Sequence, residues 1–354
     1  MQAVISFGVI VVCIYLLSIV TDEYFIESLD EISAKLKLPS NVAGASLMAM
    51  GSSMPELSIA LLSLVQQGGE HSDVGVGNIV GSAVFNILVI TGLSALVRPA
   101  KVSWQVVVRD CLIYTVSIAL LLGTFADGQV TLFEVLLFLS LYAIYIFILF
   151  QWNLFVPNGG EDIVEVLEKE LEKESAKTGW YYRITAGVSA VIGFTTGDPR
   201  RSYIRTFLIS IVYIVLISYF LVEYAVVFAG AIGVPPIIIA LTVLAGGSSV
   251  PDLIASVLVA RQGRGEMAVS NAVGSNIFDI SIGLGLPWLI ILLARKETIT
   301  VGTADLWSST MVLLITVVIL FVFLSTNREL SRKEGGVLIL LYIGYVLWIW
   351  LGGG

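Results

Sequence analysis

Charge is scarce in this sequence. Of 354 residues, only 13% are Asp, Glu, Lys or Arg, about half the share in a soluble domain. There is one histidine, His71, and there are two cysteines, Cys13 and Cys111. No basic cluster occurs and the net charge is −8, which excludes a nucleic-acid partner. Both cysteines lie in apolar runs, which excludes a disulfide framework and a thiolate metal site. His71 sits in a polar connection and reads as a solvated loop residue. Hydrophobic residues make up 57% of the chain. Such a composition fits neither a soluble domain nor a disordered one.

The apolar residues form runs of about 20, each long enough to cross a bilayer as a helix. A β-barrel would show short alternating segments instead. Ten spans are predicted, near 3–21, 40–65, 74–96, 105–125, 130–153, 203–224, 234–260, 267–294, 304–325 and 336–351. The first run has no basic flank or small-residue cleavage site, so it reads as a retained span rather than a signal peptide. The expected fold is an all-α polytopic membrane protein. Residues 1–154 form one five-helix unit, 155–200 a loop and 201–354 a second five-helix unit. Within the loop, Glu161 to Lys177 mixes acids and lysines at helical spacing and reads as a solvated charged helix. With the N-terminus outside, 17 of the 19 Lys and Arg fall in inner loops, and only Arg295 and Lys296 fall outside. Both termini are therefore expected outside, with the long loop in the cytoplasm.

The two halves repeat each other. Residues 51–57, Gly-Ser-Ser-Met-Pro-Glu-Leu, match residues 247–253, Gly-Ser-Ser-Val-Pro-Asp-Leu. Residues 77–87, Gly-Asn-Ile-Val-Gly-Ser-Ala-Val-Phe-Asn-Ile, match residues 270–280, Ser-Asn-Ala-Val-Gly-Ser-Asn-Ile-Phe-Asp-Ile. The offsets are 196 and 193, so one short gap aligns both pairs. Five spans is an odd number, so the second half enters the membrane from the opposite side. That predicts an inverted-topology repeat, common in secondary transporters with a site near the midplane.

Glu56, Asp252 and Asp279 lie far from the span ends, where a carboxylate is costly and usually functional. Pro55 and Pro251 each remove a backbone donor four residues after Gly51 and Gly247, which predicts broken helices there. Freed carbonyls at that depth need a cavity or a cation. Ser52 with Glu56, Ser248 with Asp252, Ser82 with Asn86, and Ser275 with Asp279 each stand four residues apart on one helix face. The donor set is all oxygen, without His or Cys, which suits Ca²⁺ with Na⁺ as competitor. Three carboxylates carry −3; Ca²⁺ leaves −1, whereas several Na⁺ neutralise the cluster without it. Alternating occupancy of one such cluster gives countertransport. Asp110, Glu134, Glu223 and Asp305 lie near span ends and read as interfacial.

These paired motifs resemble the two α-repeats of the sodium/calcium exchanger family. Val42-Ala-Gly-Ala-Ser and Asp73-Val-Gly-Val-Gly look most like the potassium-dependent members. The resemblance implies Glu56 and Asp252 as central Ca²⁺ ligands. It implies Ser52, Ser53, Ser82, Asn86, Ser248, Ser249, Ser275 and Asp279 as the rest of the metal site, with Gly51 and Gly247 at the breaks. An acid at Asp279 allows K⁺ cotransport without requiring it. The loop of about 45 residues is too short for the calcium-binding regulatory domains of some relatives, and no long extracellular N-terminal segment is expected. The expected molecule is a plasma-membrane antiporter with Ca²⁺ and Na⁺ as substrates and the lipid bilayer as surroundings. It is not expected to be an enzyme, to use a cofactor or to need a protein partner. An H⁺/Ca²⁺ exchanger is the alternative, though that branch lacks the Ser-Ser-x-Pro-acid pattern. A cation channel is more remote. An intramembrane aspartyl protease would need Gly-x-Gly-Asp, and Gly283-Leu-Gly-Leu carries no acid.

Overall fold

Inside a bilayer each backbone polar group must find its partner within the protein, so long apolar runs become helices. A computed structural model describes residues 1–36, 49–66, 72–155, 180–261, 263–295, 299–301, 304–326 and 328–352. Eight helices among them are long and apolar enough to cross a membrane. They are Gln2–Leu29, Ser72–Val97, Val107–Asp127, Leu132–Leu149, Tyr203–Ile232, Gly265–Ala294, Leu306–Ser325 and Arg332–Trp350. A ninth, Pro236–Ser248 with Val250–Arg261, is bent by 45°. The second expected span is described from residue 49 onward, as Ala49–Ser52 and Met54–Val65. The ten-span pattern is thus accommodated, and the chain is an integral multi-pass membrane protein.

Two elements differ from expectation. The first span runs on past residue 21 through a π-helical turn, Thr21–Ile26, into a helix ending at Leu36. Its acids are accommodated by partners: Asp22 accepts from Ser18 at 3.2 Å and Glu23 from the Ser189 hydroxyl. The segment expected as a plain loop contains a helix, Trp180–Thr196. Its alternating small, apolar and hydroxyl residues are too few to cross a bilayer but enough to pack along the first span. There Tyr15 donates to Thr185 at 2.9 Å, and Tyr24 bonds the Ser189 hydroxyl at 2.8 Å. The expected charged helix at 161–177 and His71 lie outside the described residues.

The loops record the inverted repeat. Strands β1 (Ala100–Lys101), β2 (Gln129–Val130), β3 (Ile299–Thr300) and β4 (Glu329–Leu330) form two antiparallel pairs, β1 with β4 and β2 with β3. Each pair joins one half to the other, and the halves exchange roles: Ala100 faces Leu330 as Ile299 faces Val130. Val102 N–H donates to Arg328 O at 3.0 Å, and Val301 N–H donates to Gly128 O at 3.1 Å. Gly128 and Arg328 both adopt left-handed backbone, with φ of 68° and 55°. Thr131 with Glu134, and Ser331 with Glu334, close matching capping boxes. Reciprocal exchange of this kind is what a pseudo-two-fold axis between the halves produces.

Loops expected on one face also meet. Arg332 donates to Val97 O at 3.3 Å, and Gly263 and Gly265 pack on Arg98 and Ala100. On the other face Ser72 donates to Thr300 O at 3.3 Å. The alternation of the spans is therefore as read. Small residues let the halves approach at the centre. A side chain at Gly81 would strike the Leu241 carbonyl group and come within 2.7 Å of Ala245 Cβ.

Candidate cation site

The second and seventh spans break at repeat-related serines. Ser53 has φ −91° and ψ 7°; Ser249 has φ −87° and ψ 5°. Helix resumes at once, with Pro55 and Pro251 in its first turn, where a missing N–H costs nothing. Glu56 and Asp252 therefore stand in the first turn of a new helix, a position that favours negative charge. The third and eighth spans pass beside these breaks and turn π-helical at Asn86–Ile90 and Asp279–Leu284, beginning at the predicted polar residues themselves. Such turns recur at functional sites.

The contacts cross between the halves. Sequence spacing pairs Ser52 with Glu56 and Ser248 with Asp252 along single helices. In the structure the Ser52 and Ser275 hydroxyls stand beside Asp252, and the Ser248 hydroxyl stands beside Glu56. The Ser53 hydroxyl lies beside Asp279 without completing a bond. Glu56 is within electrostatic reach of both Asp279 and Asp252. All of these are buried: Glu56 is 3% exposed, Asp252 6% and Asp279 1%. Ser82 donates to Ile79 O at 3.0 Å, which leaves its lone pairs unused.

Several oxygens lack a partner among the described residues. They are Glu56 Oε2, Asp279 Oδ1, Asn86 Oδ1, and the hydroxyls of Ser53 and Ser249. Unpartnered buried oxygens are expensive, and a set of them on facing helices is what a hard cation satisfies. Among the described residues, no three of Asp, Glu, His and Cys close on one point by themselves. Serines stand between the carboxylates, so hydroxyl, amide and main-chain oxygens must share an ion with them. Asp110 lies three residues into the span Val107–Asp127, is 3% exposed, and pairs with Arg109 at 2.7 Å. Glu134 caps its helix as an interfacial residue does, and Glu223 is exposed.

Sequence reasoning missed Asn276 and Tyr114. Asn86 Nδ2 donates to Asn276 Oδ1 at 2.8 Å and to Ser275 at 3.3 Å, which fixes the amide and leaves its oxygen without a partner among the described residues. Asn276 in turn donates to Tyr114 at 2.9 Å and to Ala83 O at 3.1 Å. Comparing halves could not find it, because Ala83 occupies the matching position and contributes only its carbonyl. Tyr114→Phe removes one support of this amide orientation. It is expected to raise the Ca²⁺ concentration for half-maximal flux about threefold while the maximal rate stays near normal, read by radiotracer uptake.

Comparison with known proteins follows the same two halves. The family model described as "Sodium/calcium exchanger protein" matches residues 5–151 and 202–351. A human protein named sodium/potassium/calcium exchanger 5 is 31% identical over 96% of this chain and 82% of its own length. A mouse protein named sodium/potassium/calcium exchanger 4 is 26% identical over 93% of this chain and 78% of its own. Among solved structures, an H⁺/Ca²⁺ exchanger, CAX, superposes with a TM-score of 0.68 at 17% identity, covering 98% of this chain and 81% of its own. The sodium-calcium exchanger NCX_Mj superposes with a TM-score of 0.57 at 22% identity, covering 98% and 99%. At those identities the structural likeness concerns the fold.

Proposed function

The chain belongs to the sodium/calcium exchanger family, and on that premise we propose that it is a secondary-active antiporter exchanging Ca²⁺ for Na⁺ by alternating access. One observation carries the reading. Carboxylate, amide and hydroxyl oxygens from both halves meet at the helix breaks, buried and in part unpartnered. Glu56 and Asp252 are the central Ca²⁺ ligands. Ser52, Ser53, Ser82, Asn86, Ser248, Ser249, Ser275 and Asp279 complete overlapping Na⁺ and Ca²⁺ positions. Gly51 and Gly247 supply backbone at the breaks. Because its donors are drawn from both halves, the site changes shape when the halves rock against each other, and one site can then open to each side in turn.

The relatives named sodium/potassium/calcium exchangers, together with an acid at Asp279, favour K⁺ as a cotransported ion. The ions are substrates rather than cofactors. The protein sits in the cell membrane with both termini outside and residues 155–200 in the cytoplasm.

The test is ⁴⁵Ca²⁺ uptake into proteoliposomes holding the full chain. An outward Na⁺ gradient is expected to drive uptake, and external K⁺ to increase it. Uptake driven by a pH gradient and indifferent to Na⁺ would transfer the protein to the H⁺/Ca²⁺ class. Current without a trans ion would make it a channel.

A further inference from the structure

The first span lies across both helix breaks. Ile14, Ser18, Asp22 and Ile26 follow one another at intervals of four along one helix face. The two ends of this stripe rest on the motif glycines. Ile14 Cγ1 is 2.8 Å from where a Cβ at Gly247 would stand, and Ile26 Cγ1 is 3.1 Å from the same point at Gly51. The polar middle, Ser18 and Asp22, therefore spans the gap between the two breaks.

Asp22 is an acid inside a span, and among the described residues no compensating charge pairs with it. It accepts from Ser18 at 3.2 Å, and the charges it feels are those of Asp252 and Glu23, both negative. Glu23 is turned elsewhere, onto Ser189 of the helix Trp180–Thr196. Exposure falls from the first span inward: Ser18, Asp22 and Ser52 are half-buried, and Asp252, Glu56 and Asp279 are buried. Ser52 links the two zones, because its hydroxyl stands beside Asp252. At the inner end, the nine-tenths-buried Glu56 Oε2 and Asp279 Oδ1 await partners. A carboxylate placed this way is costly unless a cation visits it.

We propose that Asp22 is a cation-binding residue at the entry to the oxygen-lined site, holding an incoming Ca²⁺ before it passes by Ser52 to Asp252. This rests on the exchange reading above. Its negative charge concentrates divalent cations at the entry, and its carboxylate replaces the first of the waters the ion must shed. Asp22 and Glu23 both lie in the π turn Thr21–Ile26, one bonded to Ser18 and the other to Ser189.

The full chain, in proteoliposomes with an outward Na⁺ gradient, is assayed over a range of ⁴⁵Ca²⁺ concentrations. Asp22→Asn keeps the shape and the acceptor for Ser18 but removes the charge. It is expected to raise the half-saturating Ca²⁺ about fivefold with the maximal rate within about twofold, and Asp22→Glu to restore wild-type behaviour. The proposal is overturned if the Asn variant keeps the wild-type half-saturation, if only its maximal rate falls, or if Glu is no better than Asn. If the wild-type protein shows no Na⁺-driven uptake, the exchange reading fails separately. Equilibrium ⁴⁵Ca²⁺ binding in detergent then decides Asp22: weaker binding to the Asn variant supports its role, and equal binding removes it.

Discussion

Glu56→Gln and Asp252→Asn are each expected to abolish Na⁺-driven Ca²⁺ uptake while the purified proteins remain monodisperse and helical. Each substitution keeps the volume of the side chain and one acceptor oxygen, while the other oxygen becomes an NH2 donor. The amide that replaces Asp252 keeps an oxygen beside Ser52 and Ser275, and the one that replaces Glu56 keeps an oxygen beside Ser248, so the serine framework across the halves survives. What disappears is one negative charge in a buried pocket. The remaining acids do not make up for it, since Asp279 comes from the eighth span and already lies within electrostatic reach of Glu56. Removing one member of a buried charge pair costs about 3 kcal/mol or more, which is roughly a hundredfold in occupancy. Flux should fall by that factor at low Ca²⁺. Folding should not suffer, because neutralising one of several mutually repelling buried acids relieves repulsion. Radiotracer uptake and size-exclusion profiles together check both halves of the expectation. Uptake within about tenfold of wild type in either variant would remove these residues from the ligand set.

Gly81→Val is expected to have the largest effect on stability. The third span meets the π-helical stretch Ala240–Leu244 of the seventh at this glycine, so that backbone approaches backbone. A Cβ there would overlap the Leu241 carbonyl and lie 2.7 Å from both Leu241 C and Ala245 Cβ. Main-chain atoms cannot rotate away as the end of a side chain can, so the spans must separate. Overpacking of this kind costs about 3 kcal/mol. It also pushes apart the two elements that carry Ser82 and Ser248. A lower melting temperature in detergent and loss of Ca²⁺-dependent stabilisation are expected together. The control is Gly123→Val, where nothing lies within 4 Å of the added Cβ and the melting temperature should hardly move.

The span pattern and the repeat were legible in the chain because the bilayer imposes a simple rule on composition. A run such as 304–325 has no other use for so many apolar residues, and its helix Ala304–Ser325 appears where expected. The breaks were legible too, since Pro55 and Pro251 follow Gly51 and Gly247 at the spacing that disrupts a helical bond. The limits of the first span were not. Asp22 and Glu23 look like the start of a loop when hydropathy is the guide, and only their contacts with Ser18 and Ser189 explain why the helix continues. The helix Trp180–Thr196 escaped notice for a related reason: it is too short to read as a span and takes its stability from the first.

The chain by itself determined that long apolar runs become membrane-spanning helices, and that two repeated motifs each bring a broken helix bearing an acid. Hydropathy and backbone chemistry act locally, so they can be read one segment at a time. Tertiary structure decided the partners: Ser52 serves Asp252, Ser248 serves Glu56, and Asn276, with no counterpart in the first half, orients Asn86. Those pairings depend on how the two halves interlock, and spacing along one helix carries no information about what faces it from another.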